Sequence, residues 1–271
     1  METAGLLRVG VLQGPAQGGP PSHMLAAMDR AASGLVGDGP ALLIMPELFL
    51  TGYNIGADRL AEAAEAFDGP SAQRASAIAR RHGTALLYGY PERGADGKLY
   101  NSALLVGGDG GMLANTRKLH LFGDMERTVF TPGARICELA VIGGLRVGVL
   151  ICYDVEFPET VRSLALQGAD LVAVPTALMR PYDFVARVLV RARAYENQVF
   201  VAYANRTGSE GALDYVGESC IIAPDGAELA RAGAGETVIS VTLDGGALAA
   251  SRVALPYLAD RRPDIYPGLP S

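Results

Sequence analysis

"GVLICYDVEFPE", residues 148–159, passes from an apolar run into one cysteine, then into acidic residues and a proline. An unbroken stretch of Val, Leu and Ile reads as a strand buried on both faces, the kind that helices cover. Pro158 suits the first turn of a following helix, where a missing N–H costs nothing and the fixed φ is already helical. Cys152 therefore stands at the mouth of a buried strand, whereas a thiol that merely fills core space belongs inside it. Strand, turn and helix in that order predict an α/β fold.

The same alternation extends in both directions. Residues 6–14, 41–46, 84–91, 100–108 and 112–121 read as strands, and 23–36, 57–66 and 71–82 as helices. A long irregular loop is expected over 122–133, and loops of that length in compact domains are often functional. Residues 136–143 and 145–151 read as a hairpin around Gly143-Gly144, 158–168 as a helix, 170–176 as a strand and 183–198 as a helix. Strands are expected again at 198–206, 216–224 and 236–243. No linker, repeat or low-complexity tract divides the chain, so residues 1–271 are expected to form one domain. The proline-rich tail from about residue 253 is expected on the surface or at a subunit interface.

Composition narrows the function classes. The 271 residues are 49% hydrophobic and 19% charged, ordinary for a globular protein. A formal charge of −6 with no basic run argues against nucleic acid or an anionic membrane as the main partner. The N-terminus reads as a first strand rather than a signal peptide, and no apolar run reaches the roughly 18 residues of a membrane span. Three widely spaced cysteines, Cys137, Cys152 and Cys220, fit neither a disulfide framework nor a zinc site, and suggest the reducing cytoplasm. Cys137 and Cys220 lie within strand patterns and read as core.

Three chemically capable residues follow three apolar strands. Glu47 follows ALLIMP, Lys118 follows MLANTR, and Cys152 follows LRVGVLI. Loops converge at strand ends in open α/β sheets and form the ligand crevice there. An acid, an amine and a thiol delivered to such positions make a catalytic set. Each also has a plainer reading, as a solvated loop glutamate, a surface lysine or a small buried hydrophobe. His120 is a weaker candidate for activating the thiol; it lies two residues after Lys118, on the same side if that stretch is a strand.

The segments "PELFLTGY", "RKLHLF" and "CYDVEFPE" resemble the motifs of the nitrilase superfamily of carbon–nitrogen hydrolases. They occur in the family's order, and the likeness runs from the first strand to about residue 245. The resemblance implies a four-layer α-β-β-α sandwich that dimerises through helices. It implies Glu47 as general base, Lys118 as the cation for an oxyanion and Cys152 as nucleophile. It also implies a second glutamate, Glu126, eight residues after the lysine, and the backbone N–H of Tyr153 as a further oxyanion donor. No metal or organic cofactor has a task in that chemistry.

"LTGYNIG" (50–56), "YGYPERG" (88–94) and "PYDF" (181–184) resemble one bacterial subgroup, the 5-aminopentanamidases and R-stereoselective amidases. This implies a small aliphatic primary amide carrying an amine, hydrolysed through a cysteine thioester. Tyr53 and Asn54 are candidates to line the pocket, though both also suit a tight turn. Asp124, Glu156, Asp183 and Asp214 are candidates to meet the substrate's ammonium. An ω-amidase or an N-carbamoyl amine hydrolase shares the machinery, and in an ω-amidase Arg180 or Arg206 would serve the substrate carboxylate. A catalytically silent binding member is the reading from another class.

Overall fold

A computed structural model describes residues 5–15 and 18–265. The strands are β1 (Leu6–Pro15), β2 (Ala41–Ile44), β3 (Thr84–Arg93), β4 (Leu99–Val106), β5 (Met112–Arg117), β6 (Ala140–Ile142) and β7 (Leu145–Val149). They continue with β8 (Leu171–Pro175), β9 (Phe200–Ala204), β10 (Arg206–Glu210), β11 (Leu213–Val216), β12 (Cys220–Ile222), β13 (Glu228–Arg231) and β14 (Thr237–Asp244). The helices are α1 (Pro21–Ser33), α2 (Ala57–Ala63), α3 (Pro70–His82), α4 (Gly123–Val129), α5 (Pro158–Leu166), α6 (Val190–Asn197) and α7 (Gly245–Ala254).

Two sheets result. One runs β11-β10-β1-β2-β3-β4-β5, with β14 also paired to β1, and the other runs β13-β12-β9-β8-β7-β6. Side-chain alternation shows how they stack. Leu42 and Ile44 of β2 turn toward Val147, Val149, Leu171 and Ala173 of the second sheet, forming the core between sheets. Their neighbours Leu43 and Met45 turn the other way, onto Met24 and Met28 of α1 and Ala75 and Ala79 of α3. On the far side, Val172 and Val201 pack against Val161 and Leu164 of α5 and Val190 and Ala194 of α6. Strands apolar at every position have both faces covered, and the outcome is the α-β-β-α sandwich.

Four departures from the sequence expectations bear on function. The 122–133 loop contains α4, a helix too short for an apolar period to announce it. Strand β5 ends at Arg117, so Lys118 and His120 do not share a strand face. The hairpin's first arm shrinks to Ala140–Ile142. Helix α7 forms just after the last strand, and Asp244 caps it by accepting from Gly246 N–H at 2.7 Å. Of the proline-rich tail, residues 266–271 lie outside those described.

Candidate active site

The C-terminal ends of β2 and β7 face each other across the sandwich, and the backbone joins them. The N–H of Glu47 donates to the Thr176 carbonyl just past β8, at 3.3 Å. The next peptide N–H along, that of Ala177, is directed at the sulfur of Cys152. Both turns are sharp. Leu48 has φ of +46° and Cys152 +47°, a region that residues with a Cβ enter only when their surroundings hold them there. At Leu48 the close neighbour is Gly89 of β3, where an added Cβ would lie 2.3 Å from the Leu48 nitrogen. Only glycine lets β3 pass so near.

Asp154 secures the cysteine turn. Its fully buried carboxylate accepts from the backbone N–H groups of Ile151 at 3.2 Å, Leu119 at 3.2 Å and His120 at 2.8 Å. One side chain thus ties the segment after Lys118 to the turn that carries Cys152. The turn itself, Cys152–Glu156, is a short 3-10 helix.

Between the sheets lies a charged cluster with no solvent exposure. The Lys118 ammonium donates to Glu47 Oε1 at 2.7 Å and to Glu126 Oε1 at 2.5 Å, and all three side chains are fully buried. Asn101 of β4 donates to the same Glu47 oxygen at 2.7 Å. Glu126 also accepts from the Tyr53 hydroxyl at 2.7 Å and, through Oε2, from the Phe122 N–H at 2.7 Å. Glu47 Oε2 is buried and makes no hydrogen bond among the described residues. A buried acceptor left unmatched costs about 1–3 kcal/mol, so an orphan in so well-bonded a cluster points to a working role.

The electrostatics follow from burial and from two carboxylates sharing one ammonium. Burial, with Glu126 nearby, raises the Glu47 carboxyl above its ordinary value despite Lys118. Burial alone would depress the Lys118 ammonium, but Glu47 and Glu126 hold it well above the usual lysine range. Burial and the Glu47 charge push the Cys152 thiol well up, against the pull of Lys118. The resting sulfur is therefore a neutral thiol.

Other sequence candidates fall around this cluster. Tyr153 is half-buried, its ring edge-on to Phe122 at 5.2 Å and Phe157 at 4.9 Å. Glu156 is half-buried on the same 3-10 turn. Asn54 is exposed, and its backbone N–H donates to Glu210 at 2.7 Å. His120 directs Nδ1 at Asp154, 2.9 Å away, and stacks on Phe157 with centroids 3.9 Å apart, so its ring is committed elsewhere. Arg206 proves to be fully buried. It donates to the carbonyls of Glu47 at 3.0 Å, Leu48 at 2.7 Å and Pro15 at 2.9 Å, and so holds the Glu47 turn from behind. It faces no substrate carboxylate. Sequence reasoning did not single out Asn101, Asp154 or Glu210, because the bonds that tie them to the site reach residues 34 or more positions away.

Comparison with known proteins agrees with this geometry. The carbon-nitrogen hydrolase family profile matches residues 8–252. A Pseudomonas protegens protein described as a hydrolase in the pqqF 5' region is 54% identical over 228 residues, 84% of this chain and 80% of that protein. An (R)-stereoselective amidase from a Pseudomonas species is 37% identical, covering 94% and 92% of the two chains. Among solved structures, a mutant amidase from Nesterenkonia superposes with a TM-score of 0.81 at 32% identity, over 98% of this chain and 97% of that one. It carries the acetamide moiety of fluoroacetamide covalently added at its active-site cysteine. The chain belongs to the carbon–nitrogen hydrolase family, within the nitrilase superfamily. It is a hydrolase acting on amides.

Proposed function

We propose that this protein hydrolyses a small aliphatic primary amide carrying an amine, such as 5-aminopentanamide, to the carboxylic acid and ammonia through a thioester on Cys152. The observation that carries the reading is the orphan Oε2 of Glu47, the one carboxylate oxygen of the charged cluster that lacks a donor. It is free to take the thiol proton. As it does so, Cys152 Sγ bonds to the amide carbon and the carbonyl electron pair moves onto oxygen. Lys118 spends two N–H bonds on Glu47 and Glu126, which leaves a third for that oxyanion. The Tyr153 N–H, in the first turn of a helix where no intrahelical acceptor exists, is the second donor.

Collapse of the tetrahedral adduct breaks the C–N bond, and the proton held by Glu47 leaves with ammonia. Water then attacks the thioester as Glu47 takes its proton. The C–S bond breaks, and the proton returns to sulfur. Glu126, bonded at both oxygens, fixes Lys118 and balances its charge rather than moving protons itself.

One equivalent of iodoacetamide tests this. Cys152 should be alkylated ahead of Cys137 and Cys220, with ammonia release lost in proportion. Retained activity in protein alkylated at Cys152 would overturn the reading. Turnover across 5-aminopentanamide, 2-oxoglutaramate, N-carbamoylputrescine and a simple nitrile settles the substrate, with the first expected to lead.

The working unit in this reading is a homodimer. Tyr182, Phe184, Val188 and Tyr195 are exposed along one outer helical stretch, apolar surface of a kind that symmetric pairing covers. Light scattering should give twice the chain mass, and Phe184→Asp should shift it toward the monomer. All three cysteines are free thiols, which suits a reducing compartment such as the cytoplasm. Among the described residues no helix is long and apolar enough to cross a membrane.

A further inference from the structure

The four acids that could meet a substrate ammonium are not equivalent in the fold. Asp124 is fully exposed beside Arg127. Asp183 is paired with Arg187 at 3.0 Å, and Asp214 with Arg180 at 3.3 Å. Glu156 differs from all three. It is half-buried, its carboxylate has no hydrogen bond or ion pair among the described residues, and the nearest influences on it are the Lys118 and Arg193 charges.

The fold makes no use of that carboxylate. Arg193 anchors the turn, but through backbone: it donates to the carbonyls of Val155 at 2.9 Å and Glu156 at 2.6 Å, and its ion pair is with Glu196 at 3.0 Å. The oxygens of Glu156 are not sealed in the interior, so the half-buried carboxylate stays open to a ligand that approaches from solvent. Its surroundings suit a cation. Residues three apart eclipse on a 3-10 turn, so Glu156 shares a face with Tyr153. Tyr153 meets Phe122 edge-on, and Phe122 meets Tyr182 edge-on at 5.6 Å. Phe122 also donates its N–H to Glu126, which ties this aromatic group to the charged cluster. Aromatic faces beside a carboxylate are the usual receptor for an alkylammonium.

We infer that Glu156, on the face of the turn that carries Tyr153, is the specificity-determining residue that receives the ammonium of an amino-amide while its amide end lies at Cys152. The inference rests on the amide-hydrolase reading above and names the residue that selects the amine-bearing substrate within it.

The test compares 5-aminopentanamide with pentanamide, its neutral counterpart, in wild type and Glu156→Gln. The ratio of kcat/KM for the two amides should fall about 10- to 100-fold in the variant, the range of one charged hydrogen bond, mainly through KM for the amine. A thermal melt within a few degrees of wild type confirms that the turn survives. An unchanged ratio overturns the assignment while leaving the amide-hydrolase reading intact. If wild type hydrolyses neither amide, both fall together.

Discussion

Asn101 and Lys118 donate to the same oxygen of Glu47, each at 2.7 Å, so the carboxylate is held through Oε1 with Oε2 left to work. The two donors come from adjacent places: the Lys118 N–H continues the β4–β5 ladder by donating to the Asn101 carbonyl at 2.8 Å. The sheet's register thus aims the proposed base and the lysine cation together.

The pH profile should show it. Glu47 must be ionised to accept the thiol proton, and burial raises its carboxyl above the ordinary 4.5. Activity is therefore lost as pH falls through a value above 4.5, so the acid limb of kcat/KM should lie on the neutral side of that point. The Asn101 hydrogen bond favours the charged form, so Asn101→Leu should move the limb further toward neutrality. A wild-type midpoint at or below 4.5 contradicts Glu47 as the base.

Two substitutions separate the possible activators of the thiol. Glu47→Gln keeps the shape and an acceptor for Lys118 but removes the base, and kcat/KM should drop by about 10²- to 10⁴-fold. His120→Ala should keep most activity, because the ring is already spent on Asp154 and Phe157. Ammonia-release assays on both variants decide the matter, and the opposite ranking would assign the base to His120.

Tyr53 is predicted to act through Glu126. Its hydroxyl is buried beside Glu126, and Tyr53→Phe leaves the ring while deleting that bond. A hydrogen bond to a charged group contributes about 1.5–3 kcal/mol, so a fall in kcat of about 10- to 100-fold is expected. Glu210, which accepts from the backbone N–H groups of Tyr53 and Asn54 and from the Tyr215 hydroxyl, should hold the loop in place in the variant. Unchanged kcat would mean that Lys118 and the Phe122 N–H position Glu126 without the hydroxyl.

Arg206→Met should show mainly as instability. It strips donors from the carbonyls of Glu47, Leu48 and Pro15. The Leu48 carbonyl keeps the Thr51 and Gly52 N–H donors, so two carbonyls lose their match, and at about 1–3 kcal/mol each a loss of roughly 2 kcal/mol or more is expected. The melting temperature should then fall by roughly 5–10 °C, seen by calorimetry. A variant as stable as wild type would show that water replaces the guanidinium.

Much of the sandwich was legible because its pattern is local. The helix expected at 71–82 forms as Pro70–His82, and the strand expected at 84–91 as Thr84–Arg93. Apolar periodicity and the terminating Gly83, in the left-handed conformation, define both. Helix α4 and the polar hairpin of β10 and β11 were not legible. Seven residues are too few for a helical period, and RTGSE carries no alternation. Arg206, one of two cations offered for an ω-amidase's substrate carboxylate, is spent on the Glu47 turn instead, because its burial comes from strand neighbours far away in sequence.

Residue types and their order settled what chemistry was available: an acid after β2, an amine after β5 and a thiol after β7, each at the end of a strand. Only the tertiary structure decided which oxygen of Glu47 stays unmatched, that Arg206 turns inward, and that Glu156 alone among the four acids lacks a partner. Bonds joining residue 47 to 101 and 118 span 54 and 71 positions of chain. Strand register and sheet stacking create such contacts, and no pattern of neighbouring residues encodes them.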